Sequence, residues 1–129
     1  MQKIACHLGY EEDAWTYSHV AEKVKSAFNE RFYVGGECVY EKGSQTGLAM
    51  ALSLDLVDES NRDAVLTALV HDIEGRNYAL TSGEVGFYHV IKALQREGRN
   101  DIIYAMNRNA EIPGYAYQLK MGATALTES

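Results

Sequence analysis

Two kinds of helical segment alternate along this chain, and that alternation limits its fold more than any single motif does. From Glu12 to Phe32 the apolar residues Tyr17, Val20, Ala21, Val24, Ala27 and Phe28 fall at helical spacing, with Glu22, Lys23, Lys25 and Glu30 on the other face. That is the pattern of a surface helix with one buried stripe. The next segment, Gln45 to Leu54, is small or apolar nearly all round, which calls for burial on most sides, and Ser44 is its expected N-cap. A third helix, capped by Asp58, is amphipathic again, with Val65, Leu66, Leu69, Val70 and Ile73 on one stripe and Gly75 just past its end. The fourth opens at Thr81 or Ser82, runs towards Gly98 and is apolar over most of its circumference through Val85, Phe87, Tyr88, Val90, Ile91 and Leu94. A shorter fifth spans Asn100 to about Arg108, and Gly122 opens a sixth.

The all-round apolar helices thus begin near Ser44, Ser82 and Ala123, 38 and 41 residues apart. An inner helix every forty residues, with an amphipathic outer helix between, is the signature of an array of helical hairpins. The sole proline, Pro113, and the lack of any Ser/Gly-rich linker predict a single all-α piece over residues 1–129, long enough to bury a core. An open solenoid and a closed double ring, the α/α toroid, both fit this pattern. The loops favour the ring: Tyr40–Gln45, Tyr78–Glu84 and Tyr115–Gly122 are longer than scaffold turns need, and each precedes the N-end of an inner helix, where free N–H groups attract polar ligands. In either array the three inner N-termini lie at the same end.

A net charge of −6 with scattered Lys and Arg excludes nucleic acid, whose binding depends on clustered basic residues. No apolar run approaches the ~20 residues that span a bilayer, so no membrane association is expected. The N-terminus lacks the apolar segment of a signal peptide, which leaves the compartment open, a periplasmic or secreted parent included. Cys6 and Cys38 read as free thiols rather than a framework.

Candidate chemistry concentrates after Gly114. Tyr115 and Tyr117 offer ring faces that can stack on the C–H surface of a sugar, and Glu128 supplies a carboxylate able to activate water. If the segment is extended, the two tyrosines point to opposite sides and only one lines a given pocket. Glu84, in the first turn of a buried helix, and Tyr40, in the loop before another, sit where the same concavity could form. The four histidines make no metal-ligand spacing, and P-loops, dinucleotide fingerprints and serine elbows are absent, so neither a metal nor a cofactor is expected.

Several motifs, in order, resemble the catalytic domain of bacterial α-L-rhamnosidases. They are Gln45-Thr-Gly-Leu-Ala-Met-Ala-Leu52, Leu80-Thr-Ser-Gly-Glu-Val-Gly86, Ala93-Leu-x-x-x-Gly-Arg-x-Asp101, Pro113-Gly-Tyr-Ala-Tyr117 and, the most specific, Gly122-Ala-Thr-Ala-Leu-Thr-Glu128-Ser. The resemblance runs from about Tyr10 to Ser129. It implies an (α/α)6 toroid and inverting hydrolysis of terminal α-L-rhamnosides, with Glu128 as general base and Tyr115 and Tyr117 bordering the sugar. Many members carry Trp where this chain has Tyr115, which preserves a stacking face.

Inversion needs a second carboxyl ~6.5–9.5 Å away as general acid. In the family the acid lies on a segment before the part that resembles this chain, and no Asp/Arg/Glu cluster of that kind occurs here. The resemblance therefore implies a fragment of a glycosidase that is inactive alone, partnered by a rhamnose-containing glycan, and associating with itself or with the rest of the toroid. Opening the ring is expected to expose Leu48, Met50, Leu52, Phe87 and Ile91. The competing reading is a non-catalytic helical-hairpin binding module.

Overall fold

The computed structural model describes residues 1–37, 39, 40, 42–112 and 114–125. It divides into two compact units, the first Met1–Tyr33 and the second from Val34 onward. Cys38, Pro113 and Glu128 lie outside the described residues.

In the first unit a short helix, α1 (Gln2–His7), is followed by the long helix α2 (Glu11–Phe32). Gly9, in the left-handed region at φ +79°, makes the reversal between them, and the Tyr10 N–H closes it on the Ala5 carbonyl at 2.9 Å. Ala5 and Ala14 are the buried residues of this pair. The apolar stripe of α2 has the expected helical spacing, but Tyr17, Val20 and Val24 are exposed. The periodicity identified the helix; it did not say that this unit would cover the stripe.

A two-stranded ribbon, β1 (Tyr33–Val34) and β2 (Val39–Tyr40), turned by Gly35 and Gly36, starts at the last residue of the first unit and runs into the second. Helix α3 (Gln45–Ser53) follows, capped by Ser44, whose Oγ accepts the Gly47 N–H at 3.1 Å. Asp58 leads into one 3-10 turn (Glu59–Asn61) and then α4 (Arg62–Gly75). After it come α5 (Glu84–Arg96), α6 (Asn100–Arg108) and α7 (Tyr115–Lys120). The last corrects the sequence reading, in which Tyr115–Gly122 is a loop. The expected sixth helix, third of the inner ones, has not begun by Ala125: Gly122 at φ +82° ends the turn after α7, and residues 123–125 are non-helical.

Hydrogen bonds fix the directions of the central helices. At one end the Gln45 side chain, at the start of α3, donates to the Ala79 carbonyl (3.2 Å) and accepts from the Thr81 N–H (3.3 Å), just before α5. At the other end Ser53 Oγ meets His89 Nδ1 at 2.7 Å, and Arg96 donates to the Ser53 carbonyl (3.1 Å) and the Asp55 carboxylate (2.8 Å). Helices α3 and α5 are therefore parallel. Between them α4 runs the opposite way, because Arg62 at its start pairs with Glu97 beyond the end of α5 (2.8 Å). Two of the three inner N-termini thus lie at one end, as expected; the third falls at the edge of the described residues.

The core of this unit is what an inner layer requires: Leu48, Leu52, Val65, Leu69, Ile73, Val90 and Leu94 are fully buried. The expected exposure of Leu48 and Leu52 is accordingly overturned, α3 being packed against α5, α4 and β2. Close approach of α3 and α5 depends on Gly86, where a Cβ would collide with the Thr46 hydroxyl and come within 2.8 Å of Ser82 Cβ.

Candidate active site

The start of α5 and the whole of α7 build the candidate site. Gly83 caps α5, so Glu84 rather than Thr81 or Ser82 is its first residue. Its exposed carboxylate lies beside the free N–H groups of the first turn, where negative charge is favoured. One turn on and on the same face, the Phe87 ring meets the Tyr115 ring edge-on, with centroids 5.3 Å apart and planes at 89°. Phe87 is read from sequence only as apolar core; its i+3 spacing from Glu84 is the signal that places it on this face.

Tyr115 begins α7 behind Gly114, whose backbone passes so close to the Met106 carbonyl that a Cβ would stand 3.0 Å from it. Tyr115, Gln118 and Leu119 form one wall of a hollow of about 370 Å³, and Ala123, Thr124 and Ala125 form the other. Tyr117 lines a neighbouring hollow of about 320 Å³ with Gln118, Met121, Gly122 and Ala123. The two tyrosines diverge, but for a helical reason: residues two apart on a helix differ by about 200°.

Tyr40 is buried, 2% exposed, on β2 against α3. Neither it nor Glu84 lines either hollow. Ser82 Oγ, also buried at the entrance to α5, has no hydrogen-bond partner among the described residues. The Arg and Asp of the Gly-Arg-x-Asp motif pair with each other instead of reaching this region, Arg99 donating to Asp101 at 2.9 and 3.0 Å. That hydrogen bond holds the Asp101 carboxyl below its ordinary range.

At the far end of the same helices, Arg62 is half-buried with Glu97. Burial opposes its charge, but the hydrogen bond and negative charge of Glu97, with Asp55 and Glu59, outweigh it and hold the guanidinium above its ordinary range. The ion pairs thus close one end of α3, α4 and α5, and the aromatic hollows open beyond the other. Among the described residues no three His, Cys, Asp or Glu side chains gather as a metal-binding set.

Parallel inner helices joined through an antiparallel outer helix are consecutive hairpins, and their likeness to solved relatives makes them part of an all-α helical-hairpin toroid. The chain belongs to the bacterial alpha-L-rhamnosidase 6 hairpin glycosidase domain family, which it matches over residues 1–129. It is 29% identical over 126 residues to an alpha-L-rhamnosidase of Formosa agariphila, which covers 98% of this chain and 14% of that protein. A solved alpha-L-rhamnosidase from Dictyoglumus thermophilum superposes with a TM-score of 0.88 at 35% identity, over 97% of this chain and 14% of the other. The fold is shared with the Streptomyces avermitilis alpha-L-rhamnosidase complexed with L-rhamnose, at a TM-score of 0.88 and 24% identity, over 97% of this chain and 12% of that one. The chain therefore spans about one seventh of these relatives.

Proposed function

We propose that this chain supplies the base side of an inverting glycoside hydrolase acting on terminal α-L-rhamnosides, as one piece of its catalytic toroid. The observation that carries the reading is the hollow between Tyr115 and Ala123–Ala125, because its second wall is the beginning of the Gly-Ala-Thr…Glu element that ends on Glu128. Tyr115, steadied by Phe87, gives the sugar an apolar face to rest on. Tyr117 borders the adjoining space, and Glu84, which lines neither hollow, accepts a hydroxyl hydrogen bond only from a part of the glycan that extends beyond them. Tyr40, packed in the core, takes part by holding the loop that enters α3. The relative complexed with L-rhamnose supports the choice of sugar.

In the reaction Glu128 takes a proton from water, whose oxygen attacks the anomeric carbon from the face opposite the leaving group. The glycosidic C–O bond breaks, and the departing oxygen needs a proton from a carboxylic acid supplied elsewhere in the enzyme. Without that acid the 129-residue chain does not turn over an aryl α-L-rhamnoside, general acid help being worth about 10² to 10⁴ in rate. The test is Glu128→Gln in the enzyme that contains this chain. Expected is a kcat lower by at least about 10² with L-rhamnose affinity kept; an unchanged kcat removes Glu128 from the mechanism.

We also propose that the apolar stripe of α2 is covered in solution, by a second copy or by other hairpins of the toroid. Light scattering on the 129-residue chain should show association, and a monodisperse monomer at high concentration rejects self-association.

A further inference from the structure

At the end of the second unit where α3 and α5 begin lies another hollow, of about 430 Å³, that the proposed active site does not use. Asn77 and Tyr78, after α4, line one side, and Tyr104, Ala105 and Arg108, from the last turns of α6, with Asn109 just beyond it, line the other. Its size is within the range of small-ligand pockets.

Three observations make it more than a surface dip. Asn77 and Tyr78 both hold left-handed backbones, at φ +55° and +65°, a strained conformation for a tyrosine. The Asn109 side chain fixes the pair, donating to the Asn77 carbonyl at 3.2 Å while accepting the Glu111 N–H at 3.0 Å. Secondly, Tyr104 is 65% exposed, with the Arg108 guanidinium 5.6 Å from its ring centroid. Thirdly, Arg62, Arg76, Arg96 and Arg99 of the second unit each pair with a carboxylate, whereas Arg108, like Arg31 of the first unit, has no carboxylate partner among the described residues. A place in the last turn of α6 suits a cation, but it does not account for an unpaired guanidinium, an exposed ring and a free Asn77 amide facing one space in a chain of net charge −6.

We propose that this hollow is a secondary subsite for an acidic sugar, a pyranose bearing a carboxylate. The proposal rests on the reading that the enzyme works on a glycan. Arg108, held against Tyr104, presents its fork of donors to the carboxylate. The Tyr104 ring offers apolar surface to the sugar C–H groups, and the Asn77 amide meets a hydroxyl. The subsite opens at the same end as the aromatic hollows, so an acidic unit held here anchors a glycan outside the cleavage point.

The test is a titration of the 129-residue chain, followed by NMR, with methyl β-D-glucuronide and with its neutral counterpart methyl β-D-glucoside. Expected is saturable binding of the glucuronide at about 1 mM, weakening as salt rises, with the glucoside about tenfold weaker. Arg108→Ala should weaken the glucuronide about tenfold. Asn77→Asp, which keeps a residue tolerant of the left-handed backbone and adds a repelling charge, should weaken it further. Unsaturated binding, equal affinity for the two probes, or glucuronide affinity unchanged in both variants overturns the proposal. The readout does not involve Glu128, so rhamnosidase activity can fail while this site stands, and the reverse.

Discussion

The first unit and the second carry the same kind of pattern and bury it very differently. In α2 the stripe through Tyr17, Val20 and Val24 is open to solvent, and Trp15, which stacks on His19, is 68% exposed. In α3, α4 and α5, Leu52, Leu69 and Leu94 show none of their surface. Periodicity specifies which residues would like to be covered, whereas only a neighbour at the right spacing covers them. The second unit contains such neighbours, two parallel inner helices packed on each other with antiparallel α4 against α3; the first has only α1, six residues long.

The largest expected contrast is in truncation. Leu52→Ala should cost about 2–5 kcal/mol by urea denaturation, since it leaves a cavity in a closed core, and Val24→Ala less than about 0.5 kcal/mol, as for an exposed site. Equal losses would break the comparison and show that the α2 stripe is packed in solution. Next in size, Gly86→Ala should cost about 1–3 kcal/mol by forcing α3 from α5, while Gly75→Ala, with open space around the new methyl, should be nearly neutral by the same measurement.

The smallest effect concerns the Arg99–Asp101 pair. Because the folded-state pKa of Asp101 lies below its ordinary 3.8, the pair's contribution is present above that value and lost as pH falls through the lowered one. The stability gap between wild type and Asp101→Asn should therefore be small, steady near neutrality, and close only in acid. A gap that closed above pH 5 would assign it to something other than this carboxylate.

How much of this was legible in the sequence follows from what each pattern encodes. Ser44 as a cap and the outer, inner alternation were readable because capping and burial are local or periodic properties. Helix α7 was not: six residues are too few for a helix to hold on its own whatever their propensity, and contact with Phe87 and α6 supplies what length lacks. The ribbon of Tyr33–Val34 and Val39–Tyr40 was missed as well, although β-formers around Gly35 and Gly36 are a hairpin signal. The candidate base was legible only through motif resemblance, since a lone Glu in a sequence has no pattern of its own. Tyr78 carried no signal either, because its left-handed backbone is imposed by the contacts of Asn77 and Asn109 and not by its residue type.

The parallel pairing of α3 with α5 also sets a timetable for the ribosome. Ser53 finds Arg96 43 residues later, so at ~5–20 residues per second α3 waits roughly 2 to 9 s after its own synthesis for the helix that seals it. The two helices leave the exit tunnel separated by the same interval, during which a segment apolar on almost every side has only α4 to shield it. A nascent chain of this design is therefore most vulnerable to mispairing after α3 has emerged and before α5 has, and a translational pause within that window would lengthen the exposure.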